Sequence, residues 1–182
     1  MLFRSVSQSR YEAQIKERVL EHKINGWENY GLVPDANVYL LDRFKTEKEL
    51  CDFIDYHAKH FAEDVLNIEY KSHKREFYLG QRINVSLGFG NMPHIDFMFE
   101  DNNGKVILVE CKNPSNIYAE LSNAIGQILS YYCTAKENGI GVDRMCIVTG
   151  RYNDKIRKVI NQFNLPIEVY VMSKQNVLKV VN

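Results

Sequence analysis

The segment Pro93-His94-Ile95-Asp96-Phe97-Met98-Phe99-Glu100-Asp101-Asn102-Asn103-Gly104-Lys105-Val106-Ile107-Leu108-Val109-Glu110-Cys111-Lys112 governs how the remaining residues are interpreted. Two apolar runs flank a turn-rich tetrad, Asp101-Asn102-Asn103-Gly104, of the kind that joins antiparallel strands. Side chains alternate faces along a strand, so Glu110 and Lys112 share a face and Cys111 points to the other. If the loop runs from Asn102 to Gly104, with Gly104 at the positive-φ position, Asp101 pairs with Lys105. That register sets Asp96 opposite Glu110 and His94 opposite Lys112. Cross-strand neighbours stand about 4.5–5.5 Å apart at Cβ, so two carboxylates would address one ion. A loop shorter by one residue would send them to opposite faces. By itself, an acid followed by an acid–x–lysine triplet is a common pattern, and the flanking residues must add to it.

The chain has 182 residues, 45% of them hydrophobic and 25% charged, the profile of one globular domain with room for an appendage. No apolar run approaches the ~20 residues that span a bilayer, so no membrane association is expected. The first residues, MLFRSVSQSRYEAQ, lack the apolar core of a secretory leader. Cys51, Cys111, Cys133 and Cys146 form no C-x-x-C pair, which fits reduced thiols in an intracellular setting and argues against zinc or an iron–sulfur cluster. Lys and Arg balance Asp and Glu at 23 each, so any attraction for phosphate must come from local patches. Lys71, His73, Lys74 and Arg75 form one such patch, and Lys155, Arg157 and Lys158 another; either also suits a solvated face.

Upstream, residues 8–25 carry Tyr11, Ile15, Val19 and Leu20 at helical spacing, and Gly26 follows as a stop. Residues 1–43 are accordingly read as an N-terminal helical extension of a domain covering 44–182. Thr46-Glu47-Lys48-Glu49 is a capping box opening a second helix, whose stripe is Leu50, Phe53, Ile54, His57 and Phe61. Glu47 lies near the edge of that stripe and can look toward a sheet; an acid there also suits the helix N-terminus. Glu76 to Leu87 alternates as the first strands, and Gly88, Gly90, Asn91 and Pro93 lead to Asp96. Val106 to Glu110 is almost continuously apolar, as expected of a central strand covered on both faces.

Downstream, a long helix over about 116–138 carries Ile117, Leu121, Ala124, Ile128, Tyr131 and Ala135 on its core stripe. Gln127 and Tyr131, four apart, stack at the stripe's margin. Arg144–Thr149 reads as a strand, Asp154–Phe163 as an amphipathic helix, Ile167–Met172 as a strand and 174–182 as an edge strand. A strand–helix–strand unit implies parallel pairing. The expected class is α/β, a central mixed sheet flanked by helices.

Taken with Asp96, Glu110-Cys111-Lys112 and Gln127-Ile128-Leu129-Ser130-Tyr131, this order resembles the PD-(D/E)xK nuclease superfamily, with its restriction-endonuclease-like core. Within it, the chain is similar to the branch with a Gln-x-x-x-Tyr helix, and to the nuclease domain of archaeal endonucleases acting on branched or mismatched DNA. The resemblance covers about residues 44–172. One departure is that Pro93 precedes Asp96 by three residues instead of abutting it.

The resemblance implies a Mg²⁺- or Mn²⁺-dependent deoxyribonuclease, more an endonuclease than an exonuclease. Asp96 and Glu110 would be metal ligands, with the backbone carbonyl of Cys111 and the Glu47 carboxylate as further ones. Lys112 would activate water or stabilise the transition state, and Gln127 and Tyr131 would hold it, the water or the substrate. Lys71, Lys74, Arg75 and His94 are candidate DNA contacts, and a homodimer would suit duplex cutting. The same site also fits RNA cleavage, and the same fold also serves non-catalytic nucleic-acid-binding or assembly modules.

Overall fold

A computed structural model describes residues 43–79, 94–113, 117–151, 154–174 and 177–181. The expected extension and its helix over 8–25 lie outside the described residues, as do Ile83, Val85, Leu87 and the glycine-rich approach to His94. The elements are α1 (Glu47–Tyr56), a short α2 (Ala58–His60) running into a π-helical turn (Phe61–Val65), β1 (Tyr70–Tyr78), β2 (His94–Asp101), β3 (Val106–Lys112), α3 (Ile117–Glu137), β4 (Val142–Thr149), α4 (Asp154–Gln162), β5 (Ile167–Met172) and β6 (Val177–Val181).

The described strands form one mixed sheet in the order β1-β2-β3-β4-β5-β6. The pairs β1–β2, β2–β3 and β5–β6 are antiparallel, whereas β3–β4 and β4–β5 are parallel, as the crossovers through α3 and α4 require. β3 is the junction between the two halves. Its residues from Ile107 to Cys111 are all buried, because helices cover both of its faces.

One face packs under α1: Leu50, Cys51 and Ile54 meet Phe97, Phe99, Val109, Cys111 and Val148. The other lies under α3 and α4, where Leu121, Ala124 and Ile128 meet Met145, Ile147 and Val169. Alternation along β3 and β4 thus sorts odd and even positions between two cores. Among the described helices, none is long and apolar enough to cross a membrane.

The hairpin follows the expected register. Gly104 sits at φ 79°, its N–H donates to Asp101 O, and Asp101 N–H donates to Lys105 O. The Asp101 carboxylate accepts from the N–H groups of both Asn103 and Lys105 at 2.8 Å, which closes the turn. Phe97 pairs with Val109, where the described ladder ends, and Phe99 with Ile107; extended by one step, this register sets Asp96 opposite Glu110.

The first strand departs from expectation. It runs over Tyr70–Tyr78 instead of beginning near Glu76, and its sequence, YKSHKREFY, has no apolar alternation to announce it. Its alternation is carried by polar contacts with α1: His73 hydrogen-bonds Asp55 at 2.8 Å, and Arg75 pairs with Asp52 at 2.8 Å and Asp55 at 3.2 Å. Glu76, at φ 48°, interrupts the ladder between Arg75–Phe97 and Phe77–Ile95. The capping box also differs in one partner. Glu49 N–H donates to Thr46 Oγ1 as expected, but the Glu49 carboxylate accepts from Lys45 N–H.

A half-buried ion network fastens β4, β5 and β6 to the end of the π-helical turn. Arg144 forks onto Glu168 with two 2.7 Å contacts and donates to Leu66 O, while Tyr170 and Lys179 complete the shell of Glu168. Burial alone would raise the Glu168 carboxyl, but the Arg144, Tyr170 and Lys179 donors outweigh it and hold it at about 2. A depressed acid stabilises the fold above its unfolded value of 4.5 and loses that contribution as pH falls through 2. Stability should therefore decline between those two pH values by roughly 3 kcal/mol from this group. Urea unfolding against pH checks this, and Glu168→Gln should flatten that part of the profile.

Candidate active site

The site forms where β2 and β3 part. In a continued ladder the Cys111 N–H would donate to the backbone of β2 at Ile95; here it donates instead to Asp96 Oδ2 at 2.7 Å. A side chain has replaced a strand partner, and the described pairing ends one step earlier, at Phe97–Val109. His94 consequently does not pair with Lys112. It pairs with Tyr78 of β1, ring centroids 5.6 Å apart, and is exposed.

Glu110, one residue before Cys111, is 3% exposed, and its Oε1 lies 2.7 Å from Lys112 Nζ. Lys112, 14% exposed, also stands 3.6 Å from Glu47 Oε1 in the first turn of α1. Two carboxylates thus share one ammonium, which also feels the charge of Asp96. Burial first, and then the neighbouring Asp96, push the Glu110 carboxyl up to about 7 despite Lys112. Burial also raises Asp96, opposed by the Cys111 N–H and Lys112. For Lys112, burial works to lower the ammonium's pKa, but Glu110 outweighs it and holds the group above its ordinary value.

The α3 helix supplies the other wall. Glu47, Lys112, Glu120, Asn123, Gln127 and Tyr131 line an open cleft of about 700 Å³. Burial, then Glu110 and Asp96, raise the Tyr131 hydroxyl, so it feels the charge of the acids. Gln127 Oε1 is buried with no hydrogen-bond partner. An orphaned buried acceptor is costly unless a donor or cation arrives.

A clamp that sequence reasoning missed holds α1 in place. Asn113, directly after Lys112, donates from Nδ2 to Phe44 O at 3.1 Å, just ahead of the α1 N-cap Thr46. Its amide lies against Gly150, whose N–H donates to Lys112 O at 3.0 Å. A Cβ at Gly150 would lie 2.2 Å from Asn113 Oδ1, so only glycine leaves the slot. The signal available in the sequence was an Asn adjacent to Lys112 and a Gly closing β4, neither of which reveals that they meet.

Of the candidate DNA contacts, Lys71, Lys74 and Arg75 lie on β1 and His94 opens β2, none of them lining this cleft. Lys71 pairs with Glu100 at 2.5 Å, Lys74 lies 4.6 Å from the Phe77 ring centroid, and Arg75 is held by Asp52 and Asp55. The Cys111 thiol points into the α1-side core, beside Cys51. One ligand atom from each of Cys51, Asp96 and Cys111 lies within 4.8 Å of the other two.

The donor set is one of hard oxygen atoms. Asp96 and Glu110 give oxygen donors, burial raises both carboxyls, with Asp96 adding to the rise of Glu110, and Gln127 offers an unsatisfied oxygen on the cleft wall. Oxygen donors of this kind suit Mg²⁺ or Mn²⁺. The residues fit the group.

Scanned against known protein families, the sequence matches none, and no curated protein matches it. Among solved structures, the chain is similar to a repair endonuclease from Pyrococcus abyssi, at 17% identity and a TM-score of 0.46 over 74% of this chain and 50% of that one. It is also similar to EndoMS in a complex with dsDNA, at 13% identity and a TM-score of 0.38 over 66% of this chain and 45% of that one. The chain spans about half the length of each.

The clamp generates a test of its own. Gly150→Ala should drive the Asn113 amide off Phe44 and destabilise the protein by about 1–3 kcal/mol, the usual range for overpacking. In thermal or urea unfolding, the added cost of Gly150→Ala should shrink in an Asn113→Ala background, where the clashing atoms are gone.

Proposed function

We propose that the protein is a Mg²⁺- or Mn²⁺-dependent nuclease that hydrolyses phosphodiester bonds in DNA, cutting internally. The observation that carries this reading is the meeting of Asp96, Glu110, Lys112 and Glu47 at one strand end. They come from β2, β3 and α1, and the pair Gln127–Tyr131 faces them from α3. A scaffold gains nothing from pressing buried carboxylates together, whereas a cation site needs that excess of charge.

Asp96 and Glu110 would hold the ion, joined by Glu47 and the Cys111 carbonyl, the next backbone acceptor along β3. When bound, the ion supplies Lewis-acid polarisation of the phosphate and a more acidic water. Lys112 presents an ammonium beside these acids, where it orients the attacking water and donates to the phosphoryl oxygens as negative charge develops. Gln127 and Tyr131 line the cleft wall, where they fix the lysine and the substrate backbone. Lys71, Lys74, Arg75 and His94 supply phosphate contacts along β1 and the start of β2. Arg75 would do so while bridging to α1, and Lys71 by leaving Glu100. A homodimer would place two such sites on a duplex.

Purified protein should nick or linearise plasmid and cut oligonucleotides with Mg²⁺ or Mn²⁺, and do neither in excess chelator. Asp96→Asn, Glu110→Gln and Lys112→Ala should each lower the rate by about 10²-fold or more, in the range seen when one electrostatic contributor is removed. Gln127→Ala should cost less. Cleavage unchanged in all three variants would reveal a contaminating nuclease and contradict the assignment. Salt-dependent DNA binding without metal-dependent cleavage would instead mark a non-catalytic module, and a preference for RNA oligonucleotides would move the substrate class.

A further inference from the structure

The thiols of two buried cysteines beside the site have no part in that chemistry. Cys51 lies one turn after Glu47 on α1, and Cys111 separates Glu110 from Lys112 on β3. Both are buried on the α1 side of the sheet. Free thiols often meet in a core as small apolar side chains. A carboxylate beside them is a different matter, because a partly buried acid needs donors or a cation. Asp96 meets that need with one oxygen, through the Cys111 N–H, and a ligand atom of its carboxylate lies within 4.8 Å of both sulfurs.

The spacing suits a soft ion. Two sulfur bonds of about 2.3 Å at the tetrahedral angle set the sulfurs roughly 3.8 Å apart. The sulfur–sulfur separation, at most 4.8 Å, asks for closure of about 1 Å at most, and each sulfur–oxygen separation for little more. We infer that Cys51, Cys111 and Asp96 form a second cation site, selective for thiophilic divalent ions of the zinc and cadmium class, which draws Asp96 away from Glu110. Three separate elements supply these ligands, so no metal-binding spacing appears in the sequence.

On binding, two sulfur–metal bonds form, the two thiol protons pass to solvent, Asp96 is the third ligand and water fills the fourth position. Mg²⁺ does not compete here, because it takes oxygen ligands. The ion enters from the Asp96 side, since Asp96 is the partly exposed member of the three. Because Asp96 would serve both sites, a thiophilic ion should inhibit cleavage. That consequence rests on the nuclease reading; the thiol site does not.

The test titrates cadmium chloride into the full chain carrying Cys133→Ser, which removes the exposed thiol, with a thiol-free phosphine reductant. A thiolate-to-cadmium charge-transfer band should grow to saturation at one ion per chain, with the intensity of two thiolates. Cys51→Ser and Cys111→Ser should each weaken binding by roughly 10–100-fold or more, and Asp96→Asn should weaken it as well. No band in the parental chain, or a band unchanged in both serine variants, overturns the site. Should a serine variant not fold by circular dichroism, the cadmium NMR shift of the parental chain decides, since two sulfur ligands give a different shift from none. Charge transfer without any Mn²⁺-dependent cleavage keeps this site and removes the nuclease reading. Undiminished cleavage with cadmium bound removes the shared role of Asp96.

Discussion

The Cys111 N–H bonded to the Asp96 carboxylate is the contact on which the rest of the site depends. It ends the β2–β3 ladder with a side chain in place of a strand, and so opens the sheet just where the last apolar positions of β3 give way to Glu110, Cys111 and Lys112. A ladder continued by backbone pairing would keep both strands in register and leave Asp96 as one more pleat residue. Diverging strands leave room between their ends, and the acids at that opening lose water without gaining enough counter-charge. Hence the raised carboxyls of Asp96 and Glu110, and a lysine drawn to 2.7 Å of the latter.

Two helices then approach this opening from different directions. The α1 helix brings Glu47, and its position is fixed by a short chain of contacts: the Asn113 side-chain amide donates to Phe44 O and lies against Gly150, and Gly150 N–H donates to Lys112 O. The end of β3, the end of β4 and the entry to α1 are therefore tied to one another. The α3 helix lies over the other face of β3 and β4, with Gln127 and Tyr131 on its cleft side. At the far end of the same strands, Arg144 and Glu168 tie the sheet to Leu66, so the layer that carries α1 is pinned at both ends.

Much of this could be read from residues alone. The turn chemistry of Asp101 and Gly104 allowed only one register that puts Asp96 and Glu110 together, and Asp101 does accept the two N–H groups that close that turn. The apolar run of Val106–Val109 marked a strand covered on both sides, and the periodicity of Leu121, Ala124 and Ile128 marked the helix covering one of them. What escaped notice was carried by polar contacts. The β1 strand alternates through His73 and Arg75 reaching acids on α1, a pattern that hydropathy cannot register. Asn113 and Gly150 are 37 positions apart, and their meeting depends on the parallel pairing of β3 with β4. Pairing of His94 with Lys112 failed for a local reason, since the ladder ends at the residue that makes the site.

In the proposed reading, Asp96 and Glu110 together form a hard divalent-cation site at the end of β3. Anomalous diffraction from crystals of the protein soaked in Mn²⁺ tests it most directly. One strong peak is expected in coordination range of both carboxylates, with Lys112 displaced from Glu110 by the ion. Full-occupancy crystals with no peak there, or with manganese bound only away from Asp96 and Glu110, would contradict it.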